Sequence, residues 1–353
     1  MRRLVVRLVV SLLIAAALLA ATLRGMAHDA AAHLGDVSLF DAIVAALAQT
    51  PIGVVVVYAL SFVAVHVARV WRWVLLVRPL GATDTREVVA VCAVGFAAII
   101  LFPLRLGEMV RPYLLSRRAG VPFTAALGTA VVERVLDGLI ITALLFAAVA
   151  TSPQPASETV RGAGWVSLAI FSGATLVLGL FAAAPAAAER LLTMTVGRIA
   201  PGPAAAIARL ATTFLRGVST LREGGQLVTF LALTVVYWSL NAVGMWWLAR
   251  GYGLEVPLLG GFGLLATLVV GLMVPSGPGY LGNFQFFMIE GLRLYVPAAA
   301  LGATGLALSL VQNAVQFVVQ VAFGLPFLLR LGLTPARLAR LAGEAGPRER
   351  DVA

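Results

Sequence analysis

The sequence has 353 residues, of which 61% are hydrophobic and only 12% are charged, and its mean hydropathy is +0.98. Soluble domains are roughly 45–50% apolar and about 25% charged, so this chain has too few polar side chains to cover a soluble fold. The net charge is +10, and every basic residue is arginine. The lack of lysine excludes a P-loop, and an arginine excess in a membrane protein indicates cytoplasmic loops rather than nucleic-acid binding. We expect an all-α polytopic membrane protein.

The apolar runs predict where the chain crosses the membrane, because a spanning helix needs about 20 mostly apolar residues. Three runs are too short to cross comfortably, and two of these end at Pro103-Leu-Arg-Leu-Gly107 and Pro275-Ser-Gly-Pro-Gly279. Proline removes a helical hydrogen bond, so both ends predict broken helices. The spanning runs are 4–23, 52–76, 125–150, 165–184, 227–249 and 299–329, and the short runs are 88–103, 258–274 and 281–295.

The arginine positions predict the topology. Arg86 precedes the short run 88–103, and Arg117 and Arg118 follow it. Since arginine is enriched on the cytoplasmic side, this run is predicted to form a re-entrant hairpin that enters and leaves from that side. Arginines near both chain ends predict that both termini lie on the cytoplasmic side of a bacterial inner membrane. The amino-terminal segment resembles a signal peptide, but its apolar run is long for one, so we expect it to stay uncleaved.

The chain is predicted to be one membrane domain with an internal repeat. Leu80-Gly81 precedes the first break, and Tyr252-Gly253 precedes the second by the same interval. This echo predicts an inverted repeat, with the second hairpin entering from outside and the two breaks meeting near the membrane centre. The predicted parts of residues 1–353 are a first half (52–150), a second half (227–329), an arginine-rich cytoplasmic surface helix (189–223) and a cytoplasmic tail (330–353).

Charged residues near the first break form one candidate site. Arg105, Glu108 and Arg111 recur every three residues, which places them along one side of a helix. Glu133, Arg134 and Asp137 lie inside an apolar run, where each charge costs about 2.5–3.5 kcal/mol on insertion scales and demands a partner. Arg134 is spaced to pair with Asp137. One interpretation is a set of salt bridges that holds the hairpin to the next helix. The other is a pocket for an anionic head group, since arginine binds phosphate through a planar fork of donors.

Polar residues in the second half form two further candidates. The glycine-rich second break exposes backbone N–H groups, and a helix that begins near Gly279 would present its positive end to an anion. The candidate ligands there are Gly277, Gly279, Tyr280 and Asn283. The alternative is a tight structural turn. Gln312, Gln316 and Gln320 share one helix face, and they are expected to line a polar cavity or to form interhelical hydrogen bonds.

Several motifs together resemble one family. They are Trp71-Arg-Trp73, Pro103-Leu-Arg-Leu-Gly-Glu108, Arg111-Pro-Tyr-Leu-Leu115, Val121-Pro-Phe123, Glu133-Arg134 with Asp137, and Pro275-Ser-Gly-Pro-Gly279. They resemble the flippase-like family named for the transmembrane region of bacterial lysylphosphatidylglycerol synthase, over residues 5–330. The synthase's aminoacyl-transferase domain is missing from this sequence, so lysine transfer from tRNA is not expected. The family often has an asparagine shortly before the first break, but residues 97–102 contain none.

The resemblance implies lipid translocation. The expected substrate is a phospholipid or a polyprenyl- or isoprenoid-linked lipid with an anionic head group, moved between inner-membrane leaflets without ATP. One alternative is a lipid head-group enzyme that uses Glu108, Glu133 or Asp137 as acid or base. The chain has no nucleophile–base pair and no metal cluster, so we expect no enzyme and no cofactor. Another alternative is a non-catalytic partner of lipid- or hopanoid-synthesis enzymes.

Overall fold

The computed structural model describes residues 2–31, 38–81, 84–102, 107–200, 226–274 and 277–333, with a few residues between 202 and 212. All regular secondary structure in these ranges is helical, which confirms the predicted all-α class. Five helices are long and apolar enough to cross a membrane, at 52–80, 123–151, 158–183, 226–251 and 300–330. The first predicted span, 4–23, is also helical and lies within Arg2–Ala31.

The described α-helices, in chain order, are α1 Arg2–Ala31, α2 Leu39–Ala48, α3 Ile52–Val77, α4 Thr85–Leu101, α5 Val110–Ala119, α6 Phe123–Thr151, α7 Glu158–Ala183, α8 Pro185–Met194, α9 Val196–Ile199, α10 Gln226–Gly251, α11 Gly260–Gly271, α12 Asn283–Arg293 and α13 Ala298–Arg330. Helices α8 and α9 cover the start of the predicted surface segment 189–223. The remainder of that segment lies largely outside the described residues.

Helix α2 lies between the first two predicted spans, in a segment for which the sequence predicted no helix. The Ser38 hydroxyl accepts the N–H of Asp41 at 3.1 Å, and this N-cap starts the helix. The apolar residues that follow then pack against α13. The acidic residue therefore belongs to the first turn of a helix, where a negative charge is favourable.

Helices α4 and α5 form an antiparallel hairpin at the first break. The Asp84 side chain caps α4 by accepting the N–H of Arg86 at 2.9 Å. Further along, Gly95 lies directly against Arg111, and a Cβ at Gly95 would be 2.9 Å from the Cβ of Arg111. The break itself, including Pro103 and Arg105, lies outside the described residues. Gly107 lies against Ala98 and Ile99, so α4 and α5 run in opposite directions, and re-entry from one side of the membrane stays a prediction.

Helices α11 and α12 form a second antiparallel hairpin. The Asn283 side chain at the start of α12 donates to the carbonyls of Gly271 and Val274, at 3.1 and 3.2 Å. Phe287 packs against Gly271, and Leu264 packs against Gly291. These contacts run in opposite order along the two helices, so the short runs 258–274 and 281–295 also turn back on each other.

The two hairpins occupy equivalent places in the element order. Helices α3, α4, α5 and α6 begin at residues 52, 85, 110 and 123, and α10 to α13 begin at 226, 260, 283 and 298. Helices α3 and α10 pack antiparallel, α4 packs along α13, and α11 packs along α6. One apolar core surrounds each hairpin, and Ile99 packs against both cores. The end of α4 therefore lies where the two halves meet.

Candidate functional site

Four buried charges form an ion cluster between α3, α5 and α6. The two terminal nitrogens of Arg72 each donate to one oxygen of Asp137 at 2.6 Å. Arg72 is also 3.4 Å from one Glu133 oxygen, and the other Glu133 oxygen accepts from Arg111. Between 1% and 6% of each of these four residues is exposed. Two positive and two negative charges thus balance inside an apolar bundle.

Local contacts fix the two arginines in this cluster. Trp73 follows Arg72 on α3, and its Nε1 donates to the Thr129 hydroxyl at 3.1 Å, one turn before Glu133 on α6. Arg111 crosses α4 at Gly95, where the missing side chain leaves room for its stem. Its guanidinium carbon lies 4.6 Å from the centroid of the Trp73 ring. The cluster thereby holds the first hairpin against the helix that follows it.

The ion pairs expected for Glu133 and Asp137 are present, but the predicted pairing of Arg134 with Asp137 is wrong. Arg134 is partly exposed, and its nearest described carboxylate oxygen is on Glu108, at 3.9 Å. Arg72 occupies both oxygens of Asp137, because its planar fork matches a carboxylate. The sequence interpretation named Arg72 within the motif Trp71-Arg-Trp73 and gave it no partner. Arg72 lies between two tryptophans of one apolar run, and this pattern could have identified it as a buried arginine.

Arg69 is a second arginine that the sequence interpretation missed. It lies three residues before Arg72 on α3 and is half-buried. Its guanidinium carbon is 4.2 Å from the centroid of the Phe96 ring and 5.8 Å from that of Tyr237. In the described part of the chain, no carboxylate lies within ion-pairing distance of Arg69. Phe96 also lies 6.0 Å from the guanidinium carbon of Arg111, so Arg69 adjoins the cluster.

The second break meets the end of α4. The Tyr280 hydroxyl donates to the carbonyl of Ile99 at 3.4 Å, and Tyr280 itself has a positive φ of 59°. The predicted helix start near Gly279 is wrong, because Gly279 and Gly282 have φ values of 70° and 81° and α12 begins at Asn283. The second break thus lies beside the end of α4, and the meeting of the two breaks stays a prediction.

Hydrogen bonds and packing contacts within the protein stabilise much of the second break. The Asn313 amide donates to the carbonyl of Gly279 at 2.9 Å, and the N–H of Gly282 donates to Gln285 at 2.7 Å. Gly277 packs against α1. The side chain of Asn283 bonds back to α11, as described above. These contacts agree with the structural interpretation of the turn, and its role in anion binding stays a prediction.

The amide stripe on α13 faces other helices. Gln312, Gln316 and Gln320 are all buried. Gln316 donates to the Tyr58 hydroxyl at 2.7 Å. Gln312 lies beside the same hydroxyl, yet its amide atoms complete no hydrogen bond among the described residues. Interhelical hydrogen bonding therefore accounts for part of the stripe, and its role in substrate binding stays a prediction.

The described residues offer little for metal or covalent chemistry. They contain no group of three or more His, Cys, Asp or Glu side chains that could hold a metal ion. Cys92 is a free, buried thiol. His66 is fully buried, with Nδ1 2.8 Å from the carbonyl of Phe62 and three aromatic rings around it. The candidate site therefore consists of charged side chains that ion pairs and packing hold in place.

The residues of the ion cluster and of both hairpins lie within a range that matches a known family. Residues 5–324 match the family described as the lysylphosphatidylglycerol synthase transmembrane region. The chain belongs to this family. The match confirms the resemblance carried by the sequence motifs, and it covers the ion cluster and both hairpins. This member is a multi-pass membrane protein.

One curated relative is a protein of Haloferax volcanii named Glycosyltransferase AglD. It is 25% identical over 288 residues, which cover 72% of this chain and 45% of the relative. The chain thus spans less than half the length of that relative. No solved structure matches the chain.

Proposed function

We propose that the protein moves a lipid with an anionic head group between the leaflets of a membrane. The observation that carries the proposal is the buried ion cluster, which lies between α3, α5 and α6 beside the α4–α5 hairpin in a bundle of apolar helices. Ionisable residues at membrane depth are costly and mark substrate pathways by default. The family match supports a membrane role related to lipid, and the proposal adds translocation.

The arrangement of the two halves supports alternating access. In the proposal, the hairpins α4–α5 and α11–α12 enter from opposite faces, as in transporters built from inverted repeats. Helices α3 and α10 pack antiparallel, and the second helix of each half packs against the fourth helix of the other half. Both arrangements support this placement. The head group would occupy the space between the breaks while the acyl or prenyl tails stay in lipid. Without a nucleotide-binding motif, the movement would not use ATP.

Two ion pairs connect the first hairpin to α6, and one of them has an alternative partner. Arg111 contacts Glu133, and Glu108 lies 3.9 Å from Arg134. Glu133 keeps Arg72 as a second partner at 3.4 Å, so Arg111 can leave without stranding a buried charge. An anion that competes for Arg111 would then loosen the hairpin. Two discrete arrangements of one element are what a switching transition requires.

We also propose a binding role rather than a catalytic one for the acidic residues. Asp137 accepts two charge-assisted hydrogen bonds from one arginine, and Glu133 contacts two arginines. A carboxylate held in this way is a poor general acid or base, because its lone pairs are occupied. One relative is named as a glycosyltransferase, but this chain covers only 45% of that protein. The name therefore does not assign catalysis to this chain.

The re-entrant placement of the first hairpin predicts a labelling pattern. Arg86 and Arg117 are exposed and lie at opposite ends of the hairpin sequence. In a Cys92→Ala background, Arg86→Cys and Arg117→Cys should react with a membrane-impermeant maleimide from the same side of the membrane. Labelling from opposite sides would show that the segment crosses instead.

Lipid exchange tests the function directly. Purified protein in vesicles should speed the leaflet exchange of fluorescent phosphatidylglycerol above the protein-free rate. Arg111→Gln should slow it by about tenfold or more, since each 1.4 kcal/mol lost is a factor of ten. Arg161→Gln is the control, because Arg161 is exposed and pairs only along its own helix with Glu158. Absence of exchange by the wild type would contradict translocation, and a chemically altered lipid would indicate an enzyme.

A further inference from the structure

Arg69 differs from the other arginines around the cluster in how its charge is compensated. Arg72, Arg111 and Arg134 each lie beside a carboxylate. The contacts of Arg69 are instead the faces of two aromatic rings, Phe96 at 4.2 Å and Tyr237 at 5.8 Å. An aromatic face attracts a cation, but it accepts no conventional hydrogen bond from the N–H groups of a guanidinium. The charge and the N–H donors of Arg69 therefore remain available to a ligand.

The charge count around Arg69 points to an anion. Arg72 and Arg111 balance Glu133 and Asp137, and Arg134 is matched by Glu108. Among the described residues of this region, Arg69 adds one positive charge that no carboxylate matches. An uncompensated cation on a membrane helix is unfavourable unless water or a ligand reaches it. Arg69 is half-buried, so one side of it remains open to such a ligand.

We propose that Arg69 binds the head-group phosphate of the transported lipid, with Phe96 and Tyr237 as the floor of the subsite. This inference rests on the proposed function and names the ligand class as a lipid phosphodiester with one net negative charge. A guanidinium fork binds two phosphate oxygens at once, and one unmatched positive charge suits one negative charge. A phosphatidylglycerol and a polyprenyl phosphosugar share this chemistry.

The position of the subsite connects binding to movement. Phe96 lies under Arg69 and also 6.0 Å from the guanidinium carbon of Arg111. A phosphate held by Arg69 therefore lies near Arg111 and competes with Glu133 for it. Glu133 retains Arg72, so the exchange leaves no buried carboxylate alone. Binding at Arg69 thereby weakens the contact that holds the first hairpin to α6.

Exchange of defined lipids by Arg69 variants tests the subsite. Wild-type protein should exchange fluorescent phosphatidylglycerol and a polyprenyl phosphosugar faster than zwitterionic phosphatidylcholine. Arg69→Gln should slow exchange of both anionic lipids about tenfold or more, whereas Arg69→Lys should give an intermediate rate because it keeps the charge but loses the fork. Arg78→Gln, at the exposed end of α3, should match the wild type. Arg69→Lys keeps a cation over Phe96 and is therefore expected to fold.

A binding measurement separates the subsite from the function. Short-chain phosphatidylglycerol should raise the melting temperature of the wild type and of Arg78→Gln, but not that of Arg69→Gln. If the wild type exchanges lipid and Arg69→Gln does so equally, the subsite is wrong and the proposed function stands. Equal rates for phosphatidylcholine and phosphatidylglycerol would overturn the assigned ligand class. If the wild type exchanges none of these lipids, the proposed function itself fails.

Discussion

Replacing Arg72 with glutamine is expected to lower the free energy of unfolding by about 3–5 kcal/mol, the usual cost of removing one partner from a buried ion pair. Asp137 would lose both of its 2.6 Å hydrogen bonds, and Glu133 would keep only Arg111. Neither carboxylate has water to replace the lost partner, since Asp137 is 6% exposed and Glu133 is 2% exposed. Denaturation of the purified protein in detergent would measure the loss.

Arg134→Gln is the matched control on the same network. Arg134 lies 3.9 Å from Glu108, and about a third of each side chain is exposed. The Arg134–Glu108 contact is longer and less buried than the Arg72–Asp137 contact, so this variant should lose less stability than Arg72→Gln. If the two variants lose equal stability, the carboxylates near Arg72 are solvated or protonated and the cluster is not a buried ion network.

A charge-neutral double variant separates the strength of the pair from the cost of breaking it. Arg72→Met together with Asp137→Leu removes both charges, while Glu133 keeps Arg111. Replacing a buried pair by apolar residues is often neutral, so the double variant should be more stable than Arg72→Gln alone. The stability of the double variant minus the separate effects of Arg72→Met and Asp137→Leu gives the coupling energy of the pair. A double variant as unstable as the sum of its parts would show that the two residues act independently.

Composition and apolar runs predicted most of the helical framework. The runs at 52–76, 125–150, 165–184, 227–249 and 299–329 each lie largely within a long helix, because chain length and hydropathy alone decide which segments can cross a membrane. The two short runs beside Pro103 and Pro275 form helices α4 and α11 of two antiparallel helix pairs, and their re-entry stays a prediction. Helix α2 was missed, since its acidic first turn reads as loop when the N-cap at Ser38 is not considered.

The site was predicted less completely than the fold. The need of Glu133 and Asp137 for arginine partners followed from their place in an apolar run, but the identity of Arg72 did not. Arg72 and Asp137 are 65 residues apart, and only the packing of α3 on α6 joins them. The rule that arginine marks the cytoplasmic side describes loops, so it cannot identify an arginine that faces the interior. Arg69 lies in the same predicted span, 52–76, and was given no role for the same reason.

Replacing Gly107 with alanine is expected to reduce folded yield sharply and to lower stability by about 3 kcal/mol, at the upper end for overpacking. Gly107 begins the return from the first break, and an added Cβ would overlap the backbone of Ala98 and Ile99 on α4. Because the collision is with backbone, no rotamer change relieves it and α4 must move away from the chain that leads into α5. That shift also carries Arg111 away from Glu133, so any folded fraction should lose lipid exchange.

Two variants test whether this close approach is the cause. Gly173→Ala on α7 is the control, since a Cβ there meets nothing within 4 Å, and helical alanine is favoured over glycine by about 0.5–1 kcal/mol. It should leave folding and exchange unchanged or slightly improve stability. Adding Ala98→Gly to Gly107→Ala should not restore folding, because the overlap involves the carbonyl group of residue 98 rather than its methyl group. Normal yield and exchange by Gly107→Ala itself would mean that α4 and the return segment do not touch, and the hairpin geometry on which the ion cluster depends would be wrong.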